Sequence, residues 1–173
     1  TGMTGNRAAR AWRLRVGPEN TVFEDRLQGR IAQVLERDVG DFVLRRADGL
    51  FAYQLAVTVD DHFQEISDIV RGADLLASTP RQLYLQRCLG FAMPSYAHLP
   101  VVGNAAGEKL SKQTLARALD VGRAAELLVN ALCFLGQPVP AGLSRAMVSD
   151  VWSWAHENWS FTLIPNRPLI PWG

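Results

Sequence analysis

The sequence has 173 residues, enough for one domain with a true core or for one domain plus a small appendage. Hydrophobic residues make up 48% and charged residues 20%, which places the chain outside the disordered class, and no apolar run reaches the length of a membrane span. With 18 basic against 17 acidic side chains, the formal charge of +1 excludes nucleic-acid binding through bulk electrostatics alone, while leaving room for a local basic stripe.

The polar, arginine-bearing start TGMTGNRAARAW lacks the apolar core of a signal peptide, so a cytoplasmic protein without membrane contact is expected. From Trp12 to about Arg46 the pattern is strand-like. AWRLRV alternates, TVFEDRLQGRIAQVLER reads as two strands folded about Gly29, and DFVLRR alternates again. Asp48-Gly49 then signals a hairpin turn. The apolar run in LFAYQLAVTVDDHFQ fits either a strand or a buried helix, and periodicity leaves both open. ISDIVRGADL reads as a buried strand ending in a charged loop.

STPRQLYLQRCLG predicts a helix with Thr79 as N-cap, Pro80 at the first helical position, Gln82 completing a capping box and Gly90 closing the end. SYAHLPVVGN predicts a short strand, and AAGEKLSKQ a glycine-bearing exposed loop. Beyond it, Leu127, Leu128, Ala131, Leu132 and Leu135 form a helical stripe ended by Gly136. QPVPAG reads as a linker, and LSRAMVSDVWSWAHENW as a helix capped by Ser144 with Met147, Val148, Val151, Ala155 and Trp159 on one face. Cys88 and Cys133 lie within apolar helical patterns without CxxC spacing and are expected to be core thiols. Trp152, Trp154 and Trp159 are expected in the core or an interface.

Three places carry chemistry. Arg71 follows an apolar strand and precedes Gly72; a guanidinium at a strand end can fork onto a carboxylate or phosphate, and strand ends are where α/β sheets bind ligands. Tyr53 reaches the same ligand if the chain folds back; otherwise residues 52 to 75 are an ordinary buried pair with a solvated DDH turn. In KLSK, Lys109 and Lys112 are either a solvated loop pair or ammonium groups that a mobile loop brings to a phosphate. His62, His98 and His156 are too scattered for a metal site and receive no catalytic role.

Taken in order and at their separations, LFAYQLAVTVDDHFQEISDIVRGADLLASTPRQLYLQRCLG, YAHLPVV and GEKLSKQ resemble the second half of the catalytic domain of class I glutamyl-type aminoacyl-tRNA synthetases. The resemblance implies an α/β fold, part of a Rossmann-like catalytic domain with inserted strands, over residues 1–115, and a small helical appendage over 116–173. KLSKQ stands where the family carries its KMSKS signature. Lys112 matches the lysine that meets ATP, Lys109 and Ser111 would order that loop on ATP, and Tyr53 and Arg71 match residues that contact glutamate. Asp74 lies in the same region and receives no role.

The short remainder after Gln113, and glutamine in place of the usual arginine there, point to the glutamyl-Q branch of this family. That branch implies L-glutamate, ATP with Mg and the anticodon stem-loop of tRNA(Asp) as partners, transfer to the queuosine base, and a monomer when intact. Alternatives are charging of tRNA(Glu) or tRNA(Gln) and a noncatalytic tRNA-binding module. The chain shows no HIGH-type motif and no cysteine cluster of the kind that binds zinc in many members, and both are expected to precede Thr1; the chain alone is then expected to be inactive, because this catalysis is mostly positioning.

Overall fold

The computed structural model describes residues 10–111 and 118–172. Two compact units are present, residues 1–98 and 99–173. In chain order the first contains β1 (Trp12–Leu14), β2 (Asn20–Asp25), β3 (Gly29–Val34), α1 (Leu35–Asp38), β4 (Phe42–Arg45), α2 (Tyr53–Phe63), β5 (Asp68–Gly72), a 3-10 segment Ala73–Ser78, α3 (Thr79–Leu89) and, at its end, β6 (Ser95–Leu99).

β2 and β3 pair antiparallel from Asn20↔Val34 to Asp25↔Gly29, as the alternation predicts. Asp25 makes the turn: its Oδ1 accepts the N–H groups of Leu27 and Gln28 at 3.0 and 2.9 Å, and Gly29 follows at φ 73°. The second expected strand is shorter than the pattern implied. Its LER tail is the helix α1, because Asp38 turns back to accept the Val34 N–H at 3.0 Å. β1 pairs with β4, and the Asp48-Gly49 turn brings Phe51 back onto Arg45, with only Gly49 at positive φ.

The main sheet runs β3-β2-β6-β5, with β2 and β6 parallel and meeting at Asp25↔Tyr96. β6 is its most buried strand, through Tyr96, Ala97 and His98. β5, expected to be buried, is instead a half-exposed edge strand with Val70 58% exposed. Val16, Leu35, Phe42 and Leu85 form the core of this unit, with Leu14, Leu44, Leu55 and Tyr84 packed on it.

The ambiguous run after Phe51 is helix α2: Leu55 packs on the core and Thr58 is buried one turn on, whereas Val59 and Phe63 point outward. α3 forms where expected and ends on Gly90 at φ 69°, with the Phe91 N–H on the Gln86 carbonyl. Its start differs from expectation. The 3-10 segment runs directly into α3, so Ser78 occupies the N-cap position in helical conformation, the Thr79 N–H reaches the Leu76 carbonyl, and neither Thr79 nor Gln82 is used as a cap. Both side chains are free for another purpose. The buried stripe of α3 runs through Thr79, Gln82, Leu83 and Gln86; Cys88 lies off it and is exposed, contrary to the expected core thiol.

The second unit holds β7 (Val101–Gly103), α4 (Ala124–Phe134), α5 (Val148–Asn158) and β8 (Leu169–Pro171), with β7 and β8 parallel. The stretch expected to be an exposed loop is partly a hairpin. Glu108 N–H is held by Asn104 Oδ1 at 2.8 Å, Leu110 N–H reaches the Val102 carbonyl, and Lys109 pairs with Gly103. α4 and α5 share a core of Leu132, Val151 and Ala155, flanked by Leu128, Val129 and Trp154. Cys133 is again one position off the buried stripe and exposed, while Trp152 and Trp159 are about half exposed.

Residues 137–142 are more than a linker. Gln137 is buried, donates to the Leu135 and Ser160 carbonyls and accepts the Ser160 N–H, tying the turn after Gly136 to the segment beyond α5. The α5 start also differs from expectation: Ser144 lies in a separate 3-10 turn, and Asp150 accepts the Met147 N–H at 3.2 Å instead. No helix among the described residues is long and apolar enough to cross a membrane.

Candidate functional site

Three neighbouring strands each contribute one polar side chain at or next to the carboxyl end: Asp25 is the last residue of β2, His98 the penultimate residue of β6 and Arg71 the penultimate residue of β5. Open α/β sheets bind ligands at such ends. Asp25 and His98 are fully buried as side chains and joined through Asp25 Oδ2 and His98 Nδ1 at 2.5 Å. Asp25 Oδ1 also accepts the His98 backbone N–H at 3.1 Å, in addition to its two turn bonds.

Burial pushes the Asp25 carboxyl up, but the N–H groups of Gln28, His98 and Leu27 and the His98 ring together outweigh it, and the group lies below the usual carboxylate range. Burial pushes His98 the other way. Its pKa is lowered by desolvation against the opposing pull of Asp25, with the Arg71 charge adding to the lowering. The pair is therefore carboxylate and neutral imidazole. A carboxylate only accepts, so Nδ1 carries the ring proton and Nε2 is an acceptor.

Arg71 uses that acceptor. Its Nε–H donates to His98 Nε2 at 3.0 Å, and its Nη2 donates to Thr79 Oγ1 and Gln82 Oε1, each at 2.8 Å. The Thr79 hydroxyl lies 3.1 Å from His98 Nε2 and, the ring nitrogen being an acceptor, donates to it. Gln82 Nε2 passes the connection to Gln54 Oε1 on α2 at 2.9 Å. The guanidinium also sits over the Tyr96 ring at 5.4 Å. Nη1 donates to no described residue.

Of the residues singled out from the sequence, Arg71 is thus at the centre of a built site. Tyr53 is the first residue of α2 and 52% exposed, next to Gln54; it and Arg71 both act electrostatically on the Tyr96 hydroxyl, whose pKa burial raises. The chain does fold back to bring α2 to Arg71. Lys109 and Ser111 belong to the second unit, and Lys112 lies outside the described residues.

Asp25, His98, Thr79, Gln82 and Gln54 escaped the sequence reading. Thr79 and Gln82 were legible only as a capping box, and His98 only as one of three dispersed histidines. The other two remain apart: His62 stacks on Phe91 at 3.7 Å, and His156 leans on Trp152. Among the described residues, no three His, Cys, Asp or Glu side chains group as metal ligands. A cleft of about 550 Å³ near Asp61, Phe63, Ile66, Gln86 and Met93 is lined by neither Tyr53 nor Arg71.

The neutral, buried His98 carries a pH signature. Its folded pKa is below the ordinary 6.5, so below that pH the unfolded chain binds a proton that the folded chain refuses, and stability falls with falling pH. The Asp25 contribution persists to lower pH and is lost only as pH falls through its depressed folded value. Thermal melts of the wild type and His98→Gln should diverge between about pH 6.5 and pH 5, the wild type losing more stability. Parallel curves would count against a neutral His98.

Comparison with known proteins agrees with this architecture. Residues 5–150 match the family described as tRNA synthetases class I (E and Q), catalytic domain. A glutamyl-Q tRNA(Asp) synthetase of Dechloromonas aromatica is 66% identical over 98% of this chain and 56% of its own length; that of Chromobacterium violaceum is 55% identical over 97% and 56%. The chain spans about half the length of these curated relatives. A crystal structure of glutamate-tRNA synthetase from Elizabethkingia anophelis superimposes with a TM-score of 0.68 at 20% identity, over 93% of this chain and 36% of that one, which establishes the shared fold. The chain belongs to the class I tRNA synthetase (E and Q) catalytic-domain family.

Proposed function

We propose that this chain takes part in the ATP-dependent activation of glutamate and its transfer to the queuosine base of tRNA(Asp). The observation that carries the reading is Arg71, held by three acceptors at a strand end with Nη1 uncommitted to any described residue. The names of relatives up to 66% identical support the choice of substrate and tRNA. Arg71 and the Tyr53 hydroxyl hold the carboxylate of glutamate that does not react. A carboxylate neutralised by a guanidinium is a poor nucleophile, which leaves the other to attack the α-phosphate of ATP. An O–P bond forms, the bond to the β-phosphate breaks and pyrophosphate leaves with its charge.

Lys112 stabilises that charge, with Mg accompanying ATP, while Lys109 and Ser111 order the loop. In this reading residues 1–115 form the catalytic part and 116–173 an appendage, and the whole protein works as a cytoplasmic monomer. In a protein of the relatives' full length, Lys112→Ala should slow glutamate-dependent pyrophosphate exchange at least about tenfold with little change in glutamate affinity. Exchange at the wild-type rate would overturn the lysine's role. Glutamate should then be transferred to tRNA(Asp) that carries queuosine and not to tRNA(Asp) that lacks it. Charging of tRNA(Glu) instead would redirect the reading to a conventional glutamyl-tRNA synthetase, and salt-sensitive tRNA binding without exchange to a noncatalytic module.

A further inference from the structure

We propose that Asp25 and His98 are positioning residues for Arg71, setting the guanidinium so that its Nη1 edge, and no other, is presented to the substrate carboxylate. The inference rests on the reading of Arg71 as the carboxylate-binding group, and it adds two residues behind that group. The argument is one of donors and acceptors. A guanidinium only donates, so each nitrogen directed into the protein must meet an acceptor there. His98 Nε2 is such an acceptor only while the ring proton sits on Nδ1, and Asp25 Oδ2, 2.5 Å away, keeps it there.

Asp25 is itself fixed by three backbone N–H groups on its other oxygen, so neither the carboxylate nor the ring has an alternative arrangement. Were the proton on Nε2, two donors, Arg71 Nε–H and His98 Nε2–H, would face each other at 3.0 Å, and the fork would rotate away. Thr79 reinforces the same polarity, accepting from Arg71 and lying against His98 Nε2, and Gln82 takes the second Nη2 proton. Among the described residues, the other charged and titratable groups that act on the cluster include Asp61 and Tyr53 from α2, Asp74 from the 3-10 segment, and Tyr96 from β6 beneath the guanidinium. The acceptors of Arg71 are His98, Thr79 and Gln82. The polarity of the cluster is thus set from Asp25 outward.

The test uses the chain itself, labelled with nitrogen-15. Ring-nitrogen spectra should show His98 with the proton on Nδ1 and Nε2 bare, and the Arg71 Nε–H should exchange slowly with solvent. Asp25→Asn, which can donate to Nδ1 and so allow the proton to move to Nε2, should switch the tautomer and speed Arg71 Nε–H exchange about tenfold or more, the equivalent of one charge-assisted hydrogen bond. In a protein of the relatives' full length, titration with L-glutamate should show the same variant weakened about tenfold, and His98→Gln, whose amide oxygen can still accept from Arg71, weakened less.

An Asp25→Asn protein that keeps the wild-type tautomer and the wild-type Arg71 exchange rate would overturn the positioning role. A wild-type protein of the relatives' full length that shows the expected tautomer and slow exchange but no response to glutamate would leave the positioning intact and overturn the reading of what Arg71 binds. Should Asp25→Asn fail to fold, His98→Leu, which removes the acceptor of the Arg71 Nε–H, carries the test: Arg71 Nε–H exchange faster by about tenfold or more supports the proposal, and unchanged exchange overturns it.

Discussion

Replacing Arg71 with alanine, in a protein of the relatives' full length, is expected to lower kcat/KM for glutamate in pyrophosphate exchange about tenfold to a hundredfold, the loss of a charge-assisted contact from Nη1 to a carboxylate. Arg71→Lys should recover little of it. An ammonium places its donors on one atom, whereas the present geometry needs Nε on His98, Nη2 on both Thr79 and Gln82, and a separate Nη1 for the ligand. Arg71→Ala also leaves Gln82 Oε1 without its donor and His98 Nε2 with the Thr79 hydroxyl alone, so the alanine variant should be less stable as well as less active. Steady-state kinetics with glutamate and ATP varied separately distinguish the two effects: a loss confined to the ATP dependence would remove Arg71 from the glutamate site.

The largest stability effect is expected at Asp25. Asp25→Ala removes the acceptor of three backbone N–H groups and of the His98 ring, all in a region closed to water, and should cost about 4 kcal/mol in urea unfolding of the chain. Asp25→Asn keeps an oxygen for the turn and loses the charge, and should cost about half as much. The comparison separates the two duties of this residue, closing the β2–β3 turn and fixing the imidazole. If alanine cost less than about 1 kcal/mol, the buried network would be marginal to the fold.

These two expectations link folding and chemistry through one cluster. Asp25 closes a hairpin, orients a histidine on the adjacent parallel strand and, through it, an arginine on the edge strand beyond. The edge position of β5 leaves Arg71 half-buried, with its inner donors matched by the protein and its Nη1 uncommitted to any described residue. A fully central strand would have enclosed the same side chain on both faces.

Much of this chain could be read from residue order alone, because the governing interactions are local. Alternation and Gly29 marked the first hairpin, the periodic leucines marked α4, Gly90 and Gly136 ended helices by their positive φ, and the ordered stretches from Tyr53 to Gln113 carried the family. What the order of residues left open was settled by contacts between distant positions. A 3-10 turn packed before α3 released Thr79 and Gln82 from capping, and a stripe one residue out of phase exposed Cys88 and Cys133. Asp25 and His98, 73 residues apart, became one polar unit only because parallel pairing set β2 beside β6. A carboxylate and an imidazole have no periodicity that would link them along a chain; burial together, where each must find a partner, is what joins them.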